Sequence, residues 1–268
     1  MPEEAGRPAA EIIIDSLPQS GAFNMALDES LLELAAERQH SVVRIYQWRQ
    51  PTVSLGCFQA RTAPVPDRFQ HLPTVRRLSG GGAILHDQEL TYAVVLPAQH
   101  PARHNPSALY AVIHRALILL LCDCGVPAEL RADHDARMAA VRAAAHTVSS
   151  GEPAEPFLCF LRGDPNDVVH VSGVKIIGSA QRRRRGVILQ HGSILLQASA
   201  LACDLPGIQD LAPDFLLSEF TQRLPETVAA AVADSWTFRD ATASELQRAR
   251  EILVRSESPG VPAQPGQE

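Results

Sequence analysis

The chain is short of the residue types that would fix its class at once. Only 5% of its 268 residues are aromatic, and cysteine occurs five times, at 57, 122, 124, 159 and 203. An odd number of widely spaced cysteines, with no apolar leader, argues against the disulfide framework of a small secreted domain. Long hydrophobic runs are missing too: the longest, ALILLLCDCG at 116–125, is broken by Asp123 and is too short to span a bilayer. There is no excess of positive charge. The formal net charge is −6, so no global basic field points to nucleic acid. The sequence has no internal repeat, no Walker A loop and no GxGxxG fingerprint, and no second Cys/His cluster at metal spacing accompanies Cys122 and Cys124. The opening MPEEAGRPAAEIIID is acidic and polar, unlike a signal peptide. These absences predict a reduced, cytoplasmic, soluble protein with no metal and no membrane or nucleic-acid partner.

With 46% hydrophobic residues, the chain can bury a substantial core. Residues 1–10 read as a loose leader and 256–268, SESPGVPAQPGQE, as a disordered tail, leaving 11–255 as a single domain. GAFNMALDESLLELAAE places Met25, Leu27, Leu31, Leu32 and Leu34 near helical spacing, with Asn24 as a candidate N-cap. NPSALYAVIHRALILLLCDCG predicts a buried helix that starts near Asn105 or Ser107 and ends at Gly125. SVVRIYQW, PTVSLGCF and TYAVVLP are β-branched and aromatic runs bounded by proline, and read as strands. Residues 131–155 turn to alanine and charge, then to Ser-Gly-Pro, which predicts a surface insertion carrying a short helix. PFLCFL, DVVHVSG, VKIIGSAQ and GVILQHGSILL then read as four short strands, and a helix follows from about Ala241 to Arg255. Strands in two blocks with helices between them predict an α+β fold with a mixed or antiparallel sheet.

The strongest local signal is RRLSGGGAILHD at 76–87. Three glycines let backbone approach a ligand closely, and the preceding arginines offer charge-assisted donors. A hairpin turn flanked by surface arginines is the plainer reading of the same residues. Lys175, in SGVKIIGSAQ, is expensive to bury unless it meets an anion, a carbonyl or a reacting group, although alternation also permits a wet strand face. Cys159, in PFLCFL, is by default a small core residue; as a nucleophile it needs a neighbouring cation. Cys57, in LGCFQ, is a weaker rival. The four arginines 182–185 read as a solvated turn that could meet a phosphate or an acidic protein.

Taken together, NMALDESLL, VRIYQWRQPTVSLGCFQ, RRLSGGGAILHDQELTYAVVLP and VSGVKIIGSAQRRRRGVILQHGSILL resemble the lipoate–protein ligase and lipoyl/octanoyl transferase family, relatives of the biotin–protein ligases. The resemblance covers roughly residues 20–200 and implies a class-II-synthetase-like α+β fold whose mixed sheet carries an acyl tunnel. It implies that Lys175 points into the acyl site. It also implies that Arg77, Ser79, Gly80, Gly81, Gly82 and His86 shape the pocket, and that Gly178, Ser179, Ala180 and His191 bind substrate there. One transferase type carries a Cys-Phe pair ahead of the motif lysine; here Cys159-Phe160 stand at a slightly longer spacing, sixteen residues before Lys175. That branch implies a Cys159 acyl-enzyme, acyl carrier protein as donor, and a lipoyl domain or glycine-cleavage H protein as acceptor, with no cofactor. The alternative branch, to which GDPNDV is similar, is a ligase that uses ATP and Mg²⁺. In either case the 76–86 loop and the 173–180 strand-turn are expected to share one pocket wall.

Overall fold

Runs of β-branched and aromatic residues build two sheets. The computed structural model describes residues 6–60, 65–145 and 156–257. Strand β1 (Ala10–Ile14) leads through helix α1 (Gly21–Leu34) to β2 (Ser41–Tyr46) and β3 (Thr52–Leu55). Next come β4 (Thr74–Arg76), β5 (Ile84–His86), β6 (Glu89–Leu96), α2 (Ala108–Asp123), β7 (Ala128–Leu130) and α3 (Arg131–Ala145). The second half adds β8 (Val168–His170), β9 (Lys175–Arg184), β10 (Val187–Leu195), α4 (Ile208–Leu211), α5 (Leu217–Val232), β11 (Trp236–Phe238) and α6 (Ala243–Glu257).

The large sheet has the order β11-β1-β2-β6-β10-β9-β8-β7. Only the β11–β1 and β1–β2 pairs are parallel; the other five are antiparallel. Its central strands are buried on both faces, so alternate residues enter different cores. Ile12, Val43, Tyr92 and Val94 pack against α2 and α5, whereas Ile13, Val42, Ala93 and Val95 pack against α1 and α6. A small sheet, β4-β3-β5, covers a third apolar cluster. This is the α+β architecture of mixed sheets flanked by helices. No helix among the described residues is long and apolar enough to cross a membrane.

Several local expectations change. Helix α1 starts earlier than expected, capped by Ser20, whose Oγ accepts the Phe23 amide at 3.3 Å. Asn24 is instead buried inside the helix, and its amide donates to Gln47 O while its carbonyl oxygen accepts from Arg44. PFLCFL is a single 3₁₀ turn (Cys159–Leu161), not a strand. It is too short to pair along its length; one bridge from Ala83 to Leu158 docks it on the small sheet, and Phe160 is buried. Three of the four clustered arginines belong to β9, and the turn itself is Arg185-Gly186, both at positive φ. The chain is engaged from Arg7, whose amide and Nε donate to Asp234 at 2.8 and 2.9 Å, so the leader is shorter than expected. Residues 1–5, the stretch 146–155 of the expected insertion and 258–268 of the expected tail lie outside the described residues.

Glu245 fastens the last helix to the body. Its carboxylate accepts the Thr242 amide at 2.6 Å while Thr242 Oγ1 accepts the Glu245 amide at 3.2 Å, a reciprocal capping box. Arg239 donates to both its oxygens at 2.8 Å and Arg38 pairs with it at 2.5 Å. Burial pushes this carboxyl up, but the Arg239, Thr242 and Arg38 donors outweigh it and hold it at about 2, against an ordinary 4.5. A depressed folded-state value stabilises the protein above the ordinary range and is lost as pH falls from 4.5 toward 2. Glu245→Gln is therefore expected to cost about 3 kcal/mol near neutrality. Denaturant melts along a pH series should show the gap to wild type closing on acidification; a constant gap would remove the charge from the explanation.

Candidate active site

The glycine loop is shaped by one arginine. Arg77 leaves β4 with its amide bonded to Leu55 O at 3.0 Å, and its buried guanidinium folds back inside the loop. Nη1 donates to the carbonyl and hydroxyl of Ser54, and Nη2 to the carbonyls of Gly80 and Gly82 at 2.8 and 2.6 Å. Gly81 lies between this arginine and the cysteine at positive φ. A Cβ there would stand 3.1 Å from Arg77 Nη2 and 4.0 Å from Cys159 Sγ. Carbonyls rather than a carboxylate meet the Arg77 charge, and Nε has no hydrogen-bond partner among the described residues. Burial lowers Arg77 to about 10, with the thiols of Cys159 and Cys57 acting in the opposite sense.

A second set of contacts fixes the loop from behind. Ser79 Oγ hydrogen-bonds His191 Nε2 on β10, and His191 Nδ1 is 3.3 Å from Asp28 Oδ2 on α1. Asp28 also accepts from Arg44 and Tyr46. Burial drives the Asp28 carboxyl up, but His191, Arg44 and Tyr46 hold it below the usual range. Serine, histidine and aspartate in a row suggest a hydrolytic triad, yet Ser79 is fully buried and does not line the cavity. His86, stacked on Trp48 with ring centroids 3.7 Å apart, binds Glu89 and Ser54 through its two nitrogens, and burial lowers it.

Lys175 starts β9 beside a register shift in the β8–β9 pair, and it is the only lysine in the chain, against 23 arginines. Its side chain is 4% exposed. Nζ lies 2.9 Å from Asp167 Oδ1, 3.3 Å from Cys159 O and 3.9 Å from Cys159 Sγ. Asp167 Oδ2 accepts the Asp164 amide at 2.8 Å. Burial pushes the Asp167 carboxyl up, with the Lys175 ammonium pulling against it. The lysine stem passes over Gly178, where a Cβ would stand 2.6 Å from Lys175 Cε.

These groups surround one cavity with largely apolar walls. Of the expected residues, Arg77, Gly80, Gly81, His86, Cys159, Lys175, Gly178, Ser179, Ala180 and His191 line it, so the 76–86 loop and the 173–180 segment do share a wall. Ser79 and Gly82 do not: the first faces His191, and the second faces Arg162, whose Cζ would be 2.8 Å from an added Cβ. Met25, Tyr46, Trp48, Ile84, Thr91, Phe160, Gly192 and Ser193 complete the lining. Of these, only Phe160, as the partner of Cys159, was singled out for the site in the sequence; the others and Asp167 were not, although NMALDES, VRIYQW and GDPND were visible signals. The rival Cys57 is absent from the lining. Among the described residues no group of three or more His, Cys, Asp and Glu could hold a metal ion.

The model of the lipoyl protein ligase A/B catalytic domain matches residues 20–229. Octanoyltransferase LipM of Bacillus subtilis (strain 168) is 39% identical over 188 residues, which are 68% of this chain and 64% of that protein. LipM of Kyrpidia tusciae is 34% identical over 267 residues, covering 88% of this chain and 92% of its own. The chain thus spans just under two thirds of the first of these relatives and most of the second. In fold, it is similar to lipoate-protein ligase A bound with ATP, at a TM-score of 0.70 and 18% identity, covering 92% of this chain and 95% of the other. It is also similar to the bi-partite lipoate protein ligase of Thermoplasma acidophilum, at 0.66 and 19%, covering 94% and 93%.

Gly178→Ala is expected to move the flexible end of Lys175 and leave the fold intact, because the new methyl meets a side-chain terminus and not backbone. Alkylation of Cys159, followed by peptide mass mapping, should slow severalfold while the melting temperature stays within a few degrees. Unchanged alkylation would detach Lys175 from the cysteine's reactivity.

Proposed function

Because the chain belongs to the lipoyl protein ligase A/B catalytic-domain family, we propose that it transfers an octanoyl or lipoyl group from acyl carrier protein to a lysine of a lipoyl domain or glycine-cleavage H protein, by way of a Cys159 acyl-enzyme. The observation that carries this reading is the contact of Cys159 Sγ with Lys175 Nζ at 3.9 Å, at the wall of an apolar cavity. An adenylate-forming ligase has no use for a thiol at that place.

Chemistry follows from the arrangement. The Lys175 ammonium and the Arg77 guanidinium, the latter with no carboxylate against it among the described residues, attract a thiolate on Cys159. That thiolate attacks the carbonyl carbon of the donor thioester. The C–S bond to the carrier breaks, and one thioester replaces another at little thermodynamic cost. The Cys159 amide is committed to Ala83 O at 2.7 Å, so Lys175 Nζ is the donor placed to steady the oxyanion. Met25, Trp48, Ile84 and Phe160 give the acyl chain an apolar bed. The acceptor's neutral lysine then attacks the acyl-enzyme, forming the amide and returning the thiol. This route uses neither ATP nor a metal, and its free thiol suits the reducing cytoplasm.

Incubation with octanoyl-acyl carrier protein should add one hydroxylamine-labile octanoyl mass to Cys159, and Cys159→Ser should abolish it in a folded protein. If Cys159→Ser instead retains lipoylation with ATP and free lipoate, the ligase route replaces this one.

The arginines beyond the cavity supply a docking edge. Arg183 and Arg184 are exposed, three and four residues past the pocket-lining Ala180, which is about 10–13 Å of strand. Acidic carrier proteins would be steered there. Arg183→Glu with Arg184→Glu should raise the apparent KM for the carrier about 3- to 10-fold at low salt and leave turnover of a small octanoyl thioester unchanged. An effect that persists unchanged at high salt would deny the electrostatic role.

A further inference from the structure

Resting on the acyl-enzyme reading above, we infer that Asp167 is a positioning residue that holds Lys175 Nζ in a buried ion pair and so prevents the protein from transferring the acyl group to its own lysine. The difficulty arises from geometry. Lys175 Nζ is 3.9 Å from Cys159 Sγ, and the thioester carbonyl carbon of an acyl-enzyme sits one bond from that sulfur. Reacting atoms about 3–3.5 Å apart are already in near-attack range. Lys175 is thus the amine closest to the thioester, ahead of any incoming acceptor.

The wasteful step needs no other reagent. The lone pair of a neutral Lys175 amine attacks the thioester carbonyl carbon, the C–S bond breaks, and the Cys159 sulfur leaves with the proton given up by nitrogen. The product is an octanoyl amide on Lys175 and a free thiol. An amide is far more inert than a thioester, so the site would stay blocked. An ammonium ion has no lone pair and cannot start this sequence.

Asp167 supplies that protection. Its Oδ1 is 2.9 Å from Nζ, and both side chains are 4% exposed, so the pair is sheltered from water and salt. The Asp164 amide holds Oδ2, which fixes the carboxylate's orientation. The Cys159 carbonyl, at 3.3 Å, accepts a second proton of the same ammonium. With one lysine in 268 residues, Lys175 is the side-chain amine a self-transfer would have to use.

The test uses the full chain with octanoyl-acyl carrier protein as the thioester probe, followed by intact mass before and after hydroxylamine and by peptide mapping. Wild type should carry a hydroxylamine-labile octanoyl group on Cys159 only. Asp167→Asn should convert it to a resistant group mapped to Lys175, formed severalfold faster than in wild type, because the amine is no longer held by its carboxylate partner. Asp167→Glu, which keeps the charge, should restore the labile pattern. Should Asp167→Asn fail to fold, Asp167→Ser is read in the same way. A labile adduct alone in the folded variant overturns this inference and leaves the acyl-enzyme reading standing. A variant that takes up no octanoyl group assigns Asp167 to acylation and overturns the protective role too. No labile adduct on wild type removes the acyl-enzyme reading, and this inference with it.

Discussion

Arg44 has no exposed surface, and its charge must be answered inside the protein. Nη1 donates to Asp28 at 2.8 Å, Nη2 to Asp15 at 2.6 Å and to Asn24 at 2.8 Å, and the guanidinium lies 4.0 Å above the Tyr46 ring. This cluster joins β2 to α1. From Asp28 the chain of contacts continues to His191 on β10 and on to Ser79 in the glycine loop. The loop that closes the cavity is therefore held by a buried cation two hydrogen-bonded groups away. Large helices pack on each side of the sheet, but this polar line sets how the loop meets the strands.

Two cations near Cys159 are answered in different ways. Lys175 is compensated by Asp167 at 2.9 Å, whereas the hydrogen bonds of Arg77 go to neutral carbonyls and a hydroxyl. The positive charge left over at the thiol belongs more to the arginine than to the lysine. In the proposed route that division leaves the lysine as a donor and a wall and the arginine as the source of the field.

Much of this was legible in the sequence, and for physical reasons. Strands β2, β6 and β10 are written as β-branched runs, and the Lys175 and SGGG motifs mark the two halves of one wall. PFLCFL was misread because a short apolar run has no period, so strand and turn look alike until the partner, Ala83, is known. Helix α5 went unread: Pro225 interrupts its pattern, and burial of Phe220, Leu224 and Val228 against the sheet overrides that signal. Asp167 was hidden because its meaning lies in a contact eight residues away, Lys175, made across a strand register shift.

The segment after β7 has a consequence for how such a chain can vary. It departs where the Arg131 and Ala132 amides bond Asp167 O and Pro165 O at 2.8 and 3.0 Å. It returns where the Ala83 amide bonds Phe157 O and the Cys159 amide bonds Ala83 O, at 3.2 and 2.7 Å. Both anchor points sit on the framework that holds the cysteine and the lysine, one at each. The closure entropy of a tether grows only slowly with its length. A change of length between these clamps therefore adds little closure cost, and the two clamps keep Cys159 and Lys175 on the framework at either end of it.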